Sequence, residues 1–290
     1  MRESNWPVSV GQLRVTTLPV KICIGCSREF TSADRRRECG SCRHARYSRQ
    51  FACVCGTPKD RDALQCKGCQ NARPAPKTLA SAEVSWLAGL IEGEGTFVQR
   101  QTQGRMRVQM TDRDVVQYLQ QITGIGTVVA VTTKNSRHKD SWTWTVHKAD
   151  HLRLLIQQTA PLLGTRRRLA ALRLWVHGGA AEDDFPIAAE PSDGLLWLAG
   201  FLEGEGTFTA NAHGDRTVEA TSVDRDVLLR AQRIAGGGRI YELKARKPHH
   251  NPPALWRVYR RAEARKLAKS LLPHLFERRQ SQARRVIGGG

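Results

Sequence analysis

Residues 86–97 read WLAGLIEGEGTF, and residues 197–208 read WLAGFLEGEGTF. Ten of the twelve positions are identical, and the exceptions, Leu90/Phe201 and Ile91/Leu202, are conservative. Each stretch is an apolar, helix-like run that ends in two glutamates set between glycines: Glu92 and Glu94 first, Glu203 and Glu205 second. An apolar helix needs no glutamates at its end, and a turn needs no apolar approach. A chain that carries both, twice, uses them together.

The repetition extends outward from these stretches at a spacing of 111 to 112 residues. TDRDVV (111–116) answers VDRDVL (223–228), and GIGTVVAV (124–131) answers GGGRIYEL (236–243). WTV (144–146) answers WRV (256–258), and APLLGTRRR (160–168) answers LPHLFERRQ (272–280). The period is too long for a solenoid repeat, so a domain has been duplicated. Within the first copy, SAEVSWLAGLIEG is apolar at helical spacing, with Ser81 as its cap. Residues 96–102 and 105–111 alternate around Gln103-Gly104 as a hairpin should. A helix follows from Arg113 to about Ile122, then strands TVVAVTT and SWTWTVH, with Trp142, Trp144 and Val146 on one face. A last helix, from about Asp150 to Trp175, is interrupted near Pro161. The class is α+β, with the order αββαββα in each copy.

Small residues decide how the copies meet. Gly89 and Gly93 stand four apart beside Ala88, and Gly200 and Gly204 stand four apart beside Ala199. Such a stripe lets two helix backbones pack unusually close. The apolar runs therefore form the seam of a pseudo-two-fold pair, and their ends bring glutamates together. Adjacent carboxylates repel unless cations intervene. Paired carboxylates with hard cations on a basic surface point to metal-assisted phosphodiester hydrolysis.

The basic surface is plain in the composition. Over 290 residues, 46 Lys and Arg face 27 Asp and Glu, a formal charge of +19. Such a surplus must largely face solvent, where it attracts a polyanion. Arginine outnumbers lysine 35 to 11, which suits phosphate and guanine recognition. No apolar run approaches the roughly 20 residues that cross a bilayer, and MRESNWPVSVGQLRV lacks the apolar core of a signal peptide. The expected location is the cytoplasm, a reducing compartment, away from membranes.

All eight cysteines fall between residues 23 and 69. Cys23, Cys26, Cys39 and Cys42 have the spacing C-x2-C-x12-C-x2-C, and Cys53, Cys55, Cys66 and Cys69 have C-x-C-x10-C-x2-C. Each quartet can close a tetrahedral Zn2+ site of structural type. A segment this poor in large apolar residues would fold on its metal. The expected plan is an extension (1–20), two zinc-ribbon-like modules (21–70), a linker (71–80), a first repeat (81–177), a polar linker (178–193) and a second repeat (194–290).

With two motifs, LAGLIEGEG (87–95) and LAGFLEGEG (198–206), the chain resembles the LAGLIDADG homing endonucleases in their single-chain form. The resemblance covers residues 81–287. It implies two αββαββα repeats whose sheets form a saddle on double-stranded DNA. It assigns the catalytic Mg2+-binding acids to Glu94 and Glu205, with glutamate in place of the namesake aspartate, and makes Glu92 and Glu203 structural. It also implies a basic residue lining the active site shortly after a proline in the last helix. Arg166 and Arg278, each five residues past Pro161 and Pro273, fit that place, although relatives often use lysine. A polar residue ending the second strand positions water in the family; Gln109 or Asp112, and Asp224, are the candidates.

The strands supply a DNA-reading set on their own chemistry. Arg105, Arg107 and Gln109 alternate with Met106, Val108 and Met110, and arginine and glutamine read guanine and adenine bidentately. Arg100 joins them, and the second copy offers Asn211, Arg216, Lys244, Arg246, Arg257 and Tyr259. The leading expectation is a sequence-specific double-strand DNA endonuclease, acting as a monomer with internal pseudo-two-fold symmetry. An intron-RNA maturase would use the same scaffold, with intron RNA as partner. A non-cleaving regulator of the same descent would not need both acids, which this chain keeps.

Overall fold

The computed structural model describes residues 20–22, 29–31, 76–100, 103–132, 139–211, 213–245 and 251–288. The chain divides into two compact units, Met1–Arg61 and Asp62–Gly290. In the first, β1 (Val20–Ile22) pairs antiparallel with β2 (Glu29–Thr31). All eight cysteines, and with them both expected zinc sites, lie outside the described residues.

The second unit contains the duplication. Its first repeat runs α1 (Ser81–Glu94), β3 (Gly95–Arg100), β4 (Gln103–Met110), α2 (Arg113–Thr123), β5 (Thr127–Val131) and β6 (Ser141–Val146). It ends in α3 (Ala149–Thr159), a 3-10 turn (Ala160–Leu162) and α4 (Thr165–His177). The second repeat follows the same order. It comprises α5 (Gly194–Glu205), β7 (Gly206–Ala210), β8 (Arg216–Ser222), α6 (Arg225–Ala235), β9 (Arg239–Glu242) and β10 (Ala254–Val258). It closes with α7 (Arg261–Leu271), a 3-10 turn (Leu272–His274) and α8 (Glu277–Ile287). The expected break at Pro161 is a true change of helix, because proline stands in each 3-10 turn and cannot donate to a continuing helix.

Each repeat folds one antiparallel sheet, ordered β3-β4-β6-β5 and β7-β8-β10-β9. One face of each is buried under helices, by Met106, Val108, Val128, Trp144 and Val146 in the first and Phe208, Val218, Ala220 and Trp256 in the second. The two repeats also exchange hydrogen bonds. The Trp86 indole donates to the His274 carbonyl and the Trp197 indole to the Leu162 carbonyl, each across to the other repeat's 3-10 turn.

Two local expectations are corrected. Arg100 pairs with Gln103 and Gln99 with Gly104, so Gln103-Gly104 lies within β4 and the hairpin turns before it. A Cβ on Gly104 would lie 3.0 Å from the Leu174 side chain on α4, tighter than ordinary contact. Ser81 is the first residue of α1 rather than its cap; the Ala80 amide donates to the Glu83 carboxylate at 3.0 Å.

Candidate active site at the helix seam

The site begins with two glycines. A Cβ built on Gly89 would lie 1.9 Å from the Trp197 carbonyl oxygen, and one on Gly200 would lie 1.9 Å from that of Trp86. Backbone meets backbone there, so α1 and α5 pack with no room for even a methyl group between them. One turn on, Gly93 faces the Cγ of Glu205 at 3.3 Å and Gly204 faces the Cγ of Glu94 at 2.8 Å, measured from the Cβ each lacks. Each glutamate thus leans across the seam over the other helix's last glycine.

Glu94 and Glu205 are the final residues of their helices, and neither last turn carries a basic residue. A carboxylate there faces the negative end of the helix dipole. No hydrogen-bond donor among the described residues reaches either side chain. Glu94 is half-buried, and its carboxyl is pushed up by lost solvation, with Arg279, Arg167 and Arg278 pulling it back. Glu205 retains more exposure, yet lost solvation and then the Glu94 charge push its carboxyl up to about 7. Two carboxyl groups therefore meet at the seam, both raised by lost solvation and neither hydrogen-bonded by a described residue.

Glu92 and Glu203 have a different task. Glu92 accepts from the Gly164 amide at 2.6 Å, and Glu203 accepts from the Phe276 amide. Gly164 and Phe276 are the N-caps of α4 and α8, so each carboxylate holds an amide of the last helix of its own repeat. Both are buried, at 4 % and 0 % exposure, and one carboxylate oxygen of each has no partner. Burial therefore pushes both carboxyls up to about 7, against the pull of the amide and of Arg167 or Arg279.

The folded chain binds these protons more tightly than the unfolded chain, whose glutamates titrate near 4.5. Their stabilisation is complete below that value and is lost as pH rises to about 7. Each loss is worth up to about 3 kcal/mol. Metal-free thermal melts of the wild type should fall between pH 5 and pH 7.5, and Glu92→Gln, neutral at every pH, should flatten that fall. Equal slopes for the two proteins would show that Glu92 is ionised throughout.

Arginines complete the site, though not as expected. Arg167 donates to the carbonyls of Glu92 and Gly93 at 3.3 and 3.2 Å, and Arg279 to those of Glu203 and Gly204 at 3.2 and 3.0 Å. They tie down the last carbonyls of α1 and α5, and so fix where the seam acids begin. Burial lowers both guanidinium pKa values, that of Arg279 to about 10. Sequence reasoning missed both, although TRRR and ERRQ align them one residue beyond Arg166 and Arg278.

Arg166 and Arg278 lie within electrostatic reach of Glu205 and Glu94, respectively. Their forks, however, are engaged across the repeats. Arg166 is bidentate on Asp224, at 2.7 Å from Nε to Oδ1 and 2.5 Å from Nη2 to Oδ2. Arg278 makes the matching pair with Asp112, Nε to Oδ2 at 2.7 Å. Asp226 accepts from the Thr165 amide and hydroxyl at 2.8 and 2.9 Å, and Asp114 from the Glu277 amide at 3.1 Å. The repeated DRD thus latches the last helix of the opposite repeat. With the arginines half-exposed, each ion pair is worth on the order of 1 kcal/mol. Asp112 and Asp224, the candidates for positioning water, are arginine partners here, whereas Gln109 donates to the Ser141 hydroxyl at 3.0 Å.

The sheet face away from the helices holds four of the ten DNA-binding candidates. Arg105, Arg107 and Gln109 stand on it, opposite in parity to the buried Met106, Val108 and Met110. Arg257 stands on the matching face of the second sheet, and Tyr259 and Lys244 are exposed beyond the strand ends. Asn211 lies in the β7–β8 connection, bonded to Asp215. Arg216 does not join this face. It shares the parity of Val218 and Ala220, is 7 % exposed, and donates to the carbonyls of Asn211 and Asp215, bracing the hairpin. The Arg100 side chain and Arg246 lie outside the described residues. Glu219 and Arg239, which sequence reasoning passed over, also stand on the open face.

Comparison with known proteins agrees with this architecture. The family model of the LAGLIDADG-like domain matches residues 81–160. Among solved structures, the LAGLIDADG meganuclease I-AabMI bound to uncleaved DNA superposes with a TM-score of 0.52 at 19 % identity, over 70 % of this chain and 88 % of that one. The meganuclease I-SmaMI bound to uncleaveable DNA gives 0.51 at 13 % identity, over 71 % and 90 %. The LAGLIDADG homing endonuclease I-GzeII in complex with its DNA target gives 0.50 at 10 % identity, over 72 % and 89 %. No curated protein matches the sequence. Residues 81–160 thus carry a LAGLIDADG-like domain, a second copy of its motif stands at 198–206, and the fold around them is the one these meganucleases share.

Proposed function

We propose that the protein is a site-specific double-strand DNA endonuclease that hydrolyses phosphodiester bonds at the seam glutamates. The observation that carries this reading is the delivery of Glu94 and Glu205 across a glycine-packed seam to a place where no described residue donates to either. Their oxygens suit a hard divalent cation such as Mg2+, since oxygen ligands and uncompensated negative charge are what such ions take. Glu94 and Glu205 would hold it, and it would supply charge neutralisation and polarisation of a phosphodiester. The chain's own residues bind and orient the substrate. The +19 charge attracts the duplex, and Arg105, Arg107 and Gln109 present donors and an acceptor to base edges. Arg167 and Arg279 hold the ends of the motif helices, while the Asp–Arg pairs fix the two repeats against each other.

The test is incubation of the purified protein and Mg2+ with a library of randomised duplex sites, followed by sequencing of the cut ends. One long preferred site cut on both strands is the expected outcome. Selective binding with no cutting in Mg2+ or Mn2+ would favour the regulator instead.

The proposal extends to the cysteines, whose two thiolate quartets suit structural Zn2+. Elemental analysis should find two zinc ions per chain, and chelation should leave the melt of the duplicated core unchanged. A count below two would count first against Cys53, Cys55, Cys66 and Cys69, whose C-x-C bite is the tighter.

A further inference from the structure

The open faces of the two sheets are chemically unlike at equivalent positions. In the first repeat Gly95 pairs with Val108, and in the second Gly206 pairs with Ala220. The residues one step back, Arg107 and Glu219, are therefore counterparts, and their charges are opposite. The row across the first sheet reads Thr96, Arg107, Thr145, Thr127. The row across the second reads Thr207, Glu219, Arg257, Arg239. Within it, Arg257 Nε donates to Glu219 Oε2 at 2.6 Å, with side-chain exposures of 40 % and 21 %. The pair leaves Glu219 Oε1 and both terminal nitrogens of Arg257 without a hydrogen-bond partner among the described residues.

A carboxylate in the middle of a face meant for a polyanion weakens phosphate contact, so electrostatic attraction gives no reason for it. Base edges do give one. Across the major groove a C·G pair presents a donor (cytosine N4) followed by two acceptors (guanine O6 and N7). The free oxygen of Glu219 beside the free fork of Arg257 presents an acceptor followed by two donors. The ion pair also orients the arginine, as its Nε is already fixed by the carboxylate.

Resting on the endonuclease reading above, we infer that Glu219 and Arg257 act as one specificity element that reads a single C·G base pair in the major groove. Glu219 accepts from cytosine N4, and Arg257 donates to guanine O6 and N7. The equivalent row of the first repeat, with Arg107 in the counterpart position and threonines around it, carries no acidic partner.

The experiment compares preference profiles on a randomised duplex library with Mg2+, for the wild type, Glu219→Gln, Arg257→Gln and Arg107→Gln. Both second-repeat variants should lose preference at the same C·G pair, by about 10- to 100-fold, and at no other strongly selected position. Arg107→Gln should change preference only in the other half-site. A wild type that selects a site while Glu219→Gln and Arg257→Gln retain its full profile would reduce the pair to a cross-strand brace and overturn the inference alone. Loss of preference at two different base pairs, or at a pair other than C·G, would overturn it equally. A wild type that selects no duplex would bring down the endonuclease reading and this inference together.

Discussion

Glu94→Gln is expected to abolish cutting of at least one strand of a selected duplex in Mg2+ while leaving its binding within error of wild type. The substitution keeps the side-chain volume, so the seam contact with Gly204 is retained. What it removes is one of two seam carboxyls that accept no hydrogen bond from a described residue. Removing a single pre-organised oxyanion-hole donor typically costs a factor of about 10²–10³ in rate, and loss of an acid proposed to hold a cation should cost at least that. Binding should persist because the proposed recognition surface lies on the sheets, away from Glu94. Strand-specific labelling on a denaturing gel, paired with a binding titration, reads both arms. Unchanged cutting of both strands would remove Glu94 from the chemistry.

Gly89→Ala and Gly200→Ala should each destabilise the fold by several kcal/mol, or prevent it from forming. The added methyl would stand 1.9 Å from a carbonyl oxygen and 2.9 Å from an amide nitrogen of the facing helix. Neither atom can move without shifting a whole helix, and with it the tryptophans, Trp86 and Trp197, that reach the opposite repeat. A melting point lower by roughly 10 °C or more is the corresponding reading for a core of this size. Gly93→Ala makes the informative control. Its Cβ would meet only the Glu205 Cγ at 3.3 Å and backbone atoms at 3.4 Å or more. It should therefore disturb stability less while still crowding a seam acid. A melt of Gly89→Ala matching wild type would mean that α1 and α5 do not pack this closely.

The amino-acid sequence by itself determined the features that repeat or alternate locally. The doubled motif announced two copies, and the four-residue spacing of its glycines announced the seam, because steric demand at a helix crossing is written as side-chain size. Alternation in β4 placed Arg105, Arg107 and Gln109 opposite Met106, Val108 and Met110, as the pleat requires. Tertiary structure decided whatever depended on phase or on a partner distant in the chain. Arg216 fell on the buried face because strand parity follows the hairpin register, which pairs it with Ala210. Arg167 and Arg279, rather than their neighbours, reached the motif carbonyls because one residue turns a side chain by about 100° around a helix. The neighbours, Arg166 and Arg278, met Asp224 and Asp112, and no local pattern joins residues 58 and 166 positions apart. Only the docking of one repeat on the other brings those charges together, and with them the ends of the two acid-bearing helices.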